Sequence, residues 1–200
     1  MSEISIKQYV GDIIGGSLFI SESRTIAELM LQGLSEADIR FAVEEDNVLQ
    51  KNSPKTAVRY ARTIRLRLEP MGTSFLEFLV TANQESTKQL LMAAFLNQAP
   101  IARDFMRHKL TDARLTFQER LSDDAWMEFV DERIRVLPEL GKFSESSIKK
   151  MGNNMMKALA DAGYINNARQ KKLQTVYLDS DVRAWLTQQG HNKLAQIMEA

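Results

Sequence analysis

At 200 residues, with 44% hydrophobic and 26% charged composition, the chain can bury a core as one large domain or two small ones without covalent staples. It has no cysteine, which excludes disulfides, thiolate zinc sites and cysteine nucleophiles and fits a reducing, cytoplasmic setting; with no run of about eighteen apolar residues and no signal-peptide pattern at its start, neither a membrane span nor a leader is expected. A formal net charge of zero excludes an all-round basic coat for nucleic acid and leaves the distribution of charge to carry the information.

Apolar residues recur with helical spacing almost throughout, predicting a mainly α protein. Ile26, Leu29 and Met30 mark a first clear helix that ends near Gly33. Ser35 reads as the N-cap of a second, with Glu36 and Asp38 in its first turn, running to about Asp46. After a connector at 47–52, Ser53 supplies a cap and Pro54 a first-turn proline for a third helix to about Glu69, closed by Pro70 and Gly72. Residues 75–80, 84–97 and 101–121 continue as helices that carry most of the core, and another contains Trp126, Phe129, Val130, Ile134 and Leu137. Pro138 and Gly141 mark a boundary, giving a helical bundle with a helix-turn-helix-like element over 1–140 and a winged-helix-like part over 141–200. In that second part a helix from about Ser146 ends at Gly163, one small β-hairpin is expected within 164–178, and a capped helix starts at Asp179.

Charge is segregated along this chain. Residues 22–50 hold seven acids against two bases, whereas 53–70 hold five bases against Glu69 and 142–172 hold seven bases against Glu145 and Asp161. On the third helix Lys55, Arg59 and Arg62 fall within an arc of roughly 60°, with Ala57, Ala61, Ile64 and Leu68 opposite and Arg65 beside the stripe. Preceded by an acidic helix and a short connector, it has the outline of a helix-turn-helix recognition element. The helix from Ser146 repeats the arrangement, with Ile148, Met151, Met155 and Leu159 on one side and Lys150, Asn153, Asn154 and Lys157 on the other. Asparagine can pair bidentately with adenine while lysine contributes phosphate attraction. Arg169, Lys171 and Lys172 sit at the tip of the wing-like turn. The same residues would also serve as solvated faces, and Asn153 and Asn154 as caps or kinks in a helix weakened by Gly152.

Signals for catalysis are sparse. His108 and His191 are far apart in sequence and read as surface-helix residues; Gly15-Gly16-Ser17 lacks the Lys-Ser/Thr of a phosphate loop; Asp123-Asp124 and Asp179/Asp181 stand where N-caps belong. Met151, Met155 and Met156 read as core filling. No enzyme activity, metal, cofactor or small-molecule substrate is expected.

The stretch Gly15-Gly16-Ser17-Leu18-Phe19-Ile20-Ser21-Glu22-Ser23-Arg24-Thr25-Ile26-Ala27-Glu28-Leu29, together with Asn47 and the pattern from Arg59 to Leu68, resembles the BrxA family of BREX phage-defence loci. The resemblance runs through most of the chain and is strongest over about the first seventy residues. It implies a small non-enzymatic component encoded beside a methyltransferase and an ATPase, with a helical fold similar to the antitermination factor NusB and an ability to bind double-stranded DNA. Arg59, Arg62 and Arg67 carry over by position. The first two are expected at DNA, and Arg67, about 80° round the helix from Arg59, in a structural role. Two other readings of the basic faces stay open: a scaffold that docks other BREX components, and an RNA binder on the NusB analogy.

Overall fold

Polar side chains at helix starts divide the chain into its elements. A computed structural model describes residues 5–199; the first four residues, part of the amino-terminal stretch considered above, and the last residue lie outside the described residues. Ser5 closes a capping box with Gln8 at the start of α1 (Ile6–Val10), which leads into a 3₁₀ turn at Ile13–Gly15 and then α2 (Ile20–Leu31). Ser35 closes a second capping box, with Asp38, on α3 (Glu36–Glu44), and Ser53 caps α4 (Pro54–Leu68) with Pro54 in the first turn. Next come α5 (Thr73–Thr81) and α6 (Gln84–Gln98, capped by Asn83). A continuous rod follows, made of α7 (Pro100–Phe105), a π-turn (Met106–Leu110) and α8 (Thr111–Leu115). The chain ends with α9 (Ala125–Ile134), α10 (Glu145–Asp161, capped by Ser144), α11 (Ser180–Gln188, capped by Asp179) and α12 (Asn192–Glu199).

The core is built on α6. Its residues 90–96 are buried on every side, because α2, α4, α5, α7, α11 and α12 all pack on it. Burying a side chain such as Phe95 stabilises the fold by about 2–3 kcal/mol. Residues on both sides of position 140 share one buried cluster: α10 rests on α9 and on the Ile13–Gly15 turn, while α11 and α12 rest on α6. Gln89, buried on α6, donates to the carbonyl of Tyr177 (2.9 Å) and accepts from the Asp179 amide (2.8 Å), which pins the extended segment that leads into α11.

Two expectations are corrected. The helix expected over 101–121 stops at Leu115: Phe117 takes a left-handed φ of 55°, and the amides of Phe117 and Gln118 turn back to the carbonyls of Arg114 and Ala113. This is a C-terminal cap of the kind glycine ordinarily supplies, so no residue type announces it. The hairpin expected within 164–178 does not form a ladder. Only isolated antiparallel bridges occur there, Ile165 with Leu173 and Arg120 with Lys172, and no sheet forms among the described residues. Side-chain oxygens take the backbone donors a ladder would use, since Asn166 Oδ1 accepts from the Lys172 amide and Asn167 Oδ1 from those of Arg169 and Gln170. The 164–178 segment is thus a loop tied to the segment after α8 by the Leu121 and Leu173 amides. The helix capped by Asp179 forms as expected, and a further helix, α12, follows it after Gly190 with φ 77°.

Candidate nucleic-acid interface

Helix α4 buries Ala57, Ala61, Ile64 and Leu68 and leaves Lys55, Arg59 and Arg62 exposed in one stripe, as the helical spacing predicts. Leu66, also exposed, extends that stripe. Arg59 lies over the Tyr60 ring, 5.1 Å from its centroid, and reaches the Gly15 carbonyl at 3.4 Å. Lys55 and Arg62 take part in no ion pair among the described residues. Arg65 is placed differently from its expected role. It is mostly covered and bridges Glu36 of α3 (3.0 Å) to Glu69 (3.8 Å), so its charge is already met.

Arg67 is buried, as a structural role requires. Its guanidinium donates to the carbonyls of Ser17, Gly16 (2.7 Å) and Asp12 (3.3 Å), with its carbon 4.9 Å from the Phe95 ring centroid. Burial lowers its pKa to about 10, opposed by the Asp12 carboxylate, so it stays charged at neutral pH. The carbonyls between these are taken from the other side: the Asn154 amide of α10 donates to Ile13 (2.8 Å) and Ile14 (3.1 Å). Every carbonyl from Asp12 to Ser17 therefore accepts from a side chain of α4 or α10, the Gly15 carbonyl from Arg59. The backbone comes so close to α4 that a Cβ at Gly15 would lie 2.5 Å from Thr63 Oγ1. The glycine pair is a packing device that joins the two basic helices through one strap.

On α10, Lys150, Asn153 and Lys157 are exposed, whereas Asn154 turns inward and commits both amide protons to the strap. Gly152 is a site of close approach rather than a weak point in the helix. A Cβ there would sit 2.5 Å from the Trp126 ring, whose Nε1 donates to the Ile148 carbonyl (2.9 Å). Beside this contact Trp126, Met127, Asn153, Met156 and Lys157 line an open groove of about 460 Å³, with Lys149, Asp123 and Lys171 among its other lining residues. Lys171 is tied to Asp123 (2.9 Å), and Lys171 and Arg120 together hold that carboxyl below the ordinary aspartate range. Arg169 and Lys172 are exposed on the loop and form no ion pair among the described residues.

The structure thus brings Lys55, Arg59 and Arg62 on α4 and Lys150, Asn153 and Lys157 on α10 to two faces anchored on the same strap, and withdraws Arg65, Asn154 and Lys171 into internal bonds. Sequence reasoning missed the strap itself; the Gly15-Gly16 pair was its only local sign. It also missed Lys51, which pairs with Glu22 (2.5 Å) and lies 5.9 Å from the centroid of the Tyr60 ring of α4. His191 stacks on Trp185, with centroids 6.0 Å apart, and His108 lies in the π-turn. Among the described residues no group of three or more His, Cys, Asp or Glu could hold a metal ion, and no helix is long and apolar enough to cross a membrane.

Comparison with known proteins agrees with this architecture. The profile of the BrxA family matches residues 7–190. The chain is 41% identical to the BREX protein BrxA of Escherichia coli O9:H4 (strain HS), over 96% of this chain and 91% of that one. It is 28% identical to the BREX protein BrxA of Paramagnetospirillum magneticum (strain AMB-1), over 96% of each. Its fold superposes on the crystal structure of an uncharacterized protein from Magnetospirillum magneticum with a TM-score of 0.87 at 26% identity, covering 96% of this chain and 98% of that chain.

Proposed function

The chain belongs to the BrxA family of BREX proteins, and from that premise we propose that it is a non-enzymatic accessory component of a phage-defence system that binds double-stranded DNA. One observation carries the reading: exposed cations that form no ion pair among the described residues stand on two helices, α4 and α10, that the 12–17 strap fixes to each other. Two rigid basic faces can meet phosphates together without first being ordered, which lowers the entropic cost of binding. Asp38, Glu45 and Asp46 are exposed on or just after α3 and repel phosphates from that side, so the duplex approaches α4 from the side of the strap. Phosphate contacts set affinity, Asn153 is the side chain on α10 free to read a base edge, and Arg169 and Lys172 extend the charge along the loop. The Arg59 bond to Gly15 is long enough to yield to a phosphate.

The test is a titration of purified protein with duplex DNA and matched RNA at two salt concentrations. Saturable duplex binding that weakens as salt rises supports the proposal; no duplex binding, or tighter binding to RNA, refutes it. A docking role toward other BREX components is favoured by a separate feature. Phe117 is 93% exposed while held at a strained positive φ, and Leu115 and Tyr177 are exposed on the segments tied beside it. Backbone strain that presents an apolar side chain to water suits a protein contact better than a phosphate.

A further inference from the structure

The rod made of α7, the π-turn and α8 sends its two central cations in different directions. Lys109 reaches α9, where it pairs with Glu132 (2.7 Å) and Glu128 (3.6 Å). Arg107 instead lines an open cavity of about 460 Å³ between the π-turn and α12, together with Thr111, Lys193, Gln196 and Ile197. Neither Arg107 nor Lys193 forms an ion pair among the described residues, and none of the described residues that line the cavity carries a carboxylate side chain. Glu199, the acid on α12, is paired away with Arg183.

We propose that this cavity binds a phosphate ester of a hydroxylated carbon skeleton, a sugar phosphate or mononucleotide. The donor set fits a phosphoryl group: a guanidinium fork from the π-turn, and an ammonium and the Gln196 amide from α12. The Thr111 hydroxyl already donates to the Met106 carbonyl (3.1 Å), so its oxygen is left to accept from a ligand hydroxyl. Ile197 gives an apolar wall, and the volume exceeds what a bare phosphate fills, falling within the ordinary range for small-molecule pockets. An irregular helical turn at such a place is a recurrent feature of functional sites. This site lies on α12 and the π-turn, neither of which carries the proposed DNA contacts.

Calorimetric titration with inorganic phosphate, ribose 5-phosphate and AMP tests it, using wild type and the Arg107→Gln, Lys193→Gln and double variants. Both esters should bind saturably and more tightly than phosphate, AMP exceeding ribose 5-phosphate only if the base is also held. Each single substitution of these exposed residues should weaken binding about tenfold, the value of one charge-assisted hydrogen bond. Failure of both esters to bind, equal binding of inorganic phosphate, or unchanged affinity in the double variant overturns the assignment. Duplex titration of the double variant separates this claim from the DNA reading. Unchanged duplex affinity and salt slope are expected, and a shallower slope would make the cavity part of the DNA surface and overturn it as a separate site.

Discussion

Asn154 on α10 binds the carbonyls of Ile13 and Ile14, which lie between the carbonyls of Asp12 and Gly16 that Arg67 binds from α4. Two side chains from distant parts of the chain therefore interleave on one backbone segment and fix the separation of the two basic helices.

Loss of either grip leaves buried carbonyls without donors. Arg67→Met should destabilise the fold by about 3 kcal/mol or more and Asn154→Ala by about 1–3 kcal/mol, measured by urea denaturation. Asn154→Ala should leave base preference unchanged, while Asn153→Ala relaxes it; the reverse pattern in a binding-site selection would mean that Asn154 faces the DNA.

Gly152 should tolerate no side chain. Trp126 is held by Phe105 and Phe129, with centroids 5.3 and 5.7 Å away, so a methyl group 2.5 Å from its ring forces a shift. Gly152→Ala should cost about 1–3 kcal/mol and change the tryptophan emission, despite the gain in helix propensity. A stabilised variant would show that α9 and α10 are not in close contact.

How much of the fold and the interface is legible from sequence follows from how local each determinant is. Ser35, Ser53 and Asp179 announce helix starts because a cap is a contact across two or three residues. Arg67 is separable from Arg59 by its angle alone. Asn154 misleads because a helical wheel puts it with Asn153 on the polar face, whereas its partners are some 140 residues away. The Arg65 bond to Glu69 is an i,i+4 pair visible in sequence, but the shorter one to Glu36 needs α3 folded against α4. The absent hairpin has the same origin, since Leu173 pairs its amide with the distant Glu119 carbonyl.

Burial raises the Asp161 carboxyl, against hydrogen bonds from Ser17 and the Leu18 backbone. A folded pKa above the unfolded one means the native state binds more protons, so this group's contribution is fully present below the ordinary aspartate pKa and is lost as pH rises through the folded value. Asp161→Asn should therefore gain stability relative to wild type at neutral pH and lose that advantage near about pH 3. Denaturation midpoints at the two pH values check this; an advantage independent of pH would contradict it.

Arg65→Gln should weaken duplex binding less than Arg62→Gln, because Arg65 is neutralised by Glu36 and Glu69 while Arg62 forms no ion pair among the described residues. Equal losses in a filter-binding comparison would show that the ion pairs open on DNA.

The most direct test of the central claim is the salt dependence of duplex affinity for Arg59→Gln with Arg62→Gln, alone and combined with Lys150→Gln and Lys157→Gln. All four side chains are exposed, so folding should survive. If α4 and α10 meet one duplex, the slope of log affinity against log salt should become shallower by about 1.8 for the α4 pair and by about twice that for all four, at roughly 0.9 for each phosphate no longer neutralised. An unchanged slope in the folded four-residue variant would contradict a DNA role for these faces.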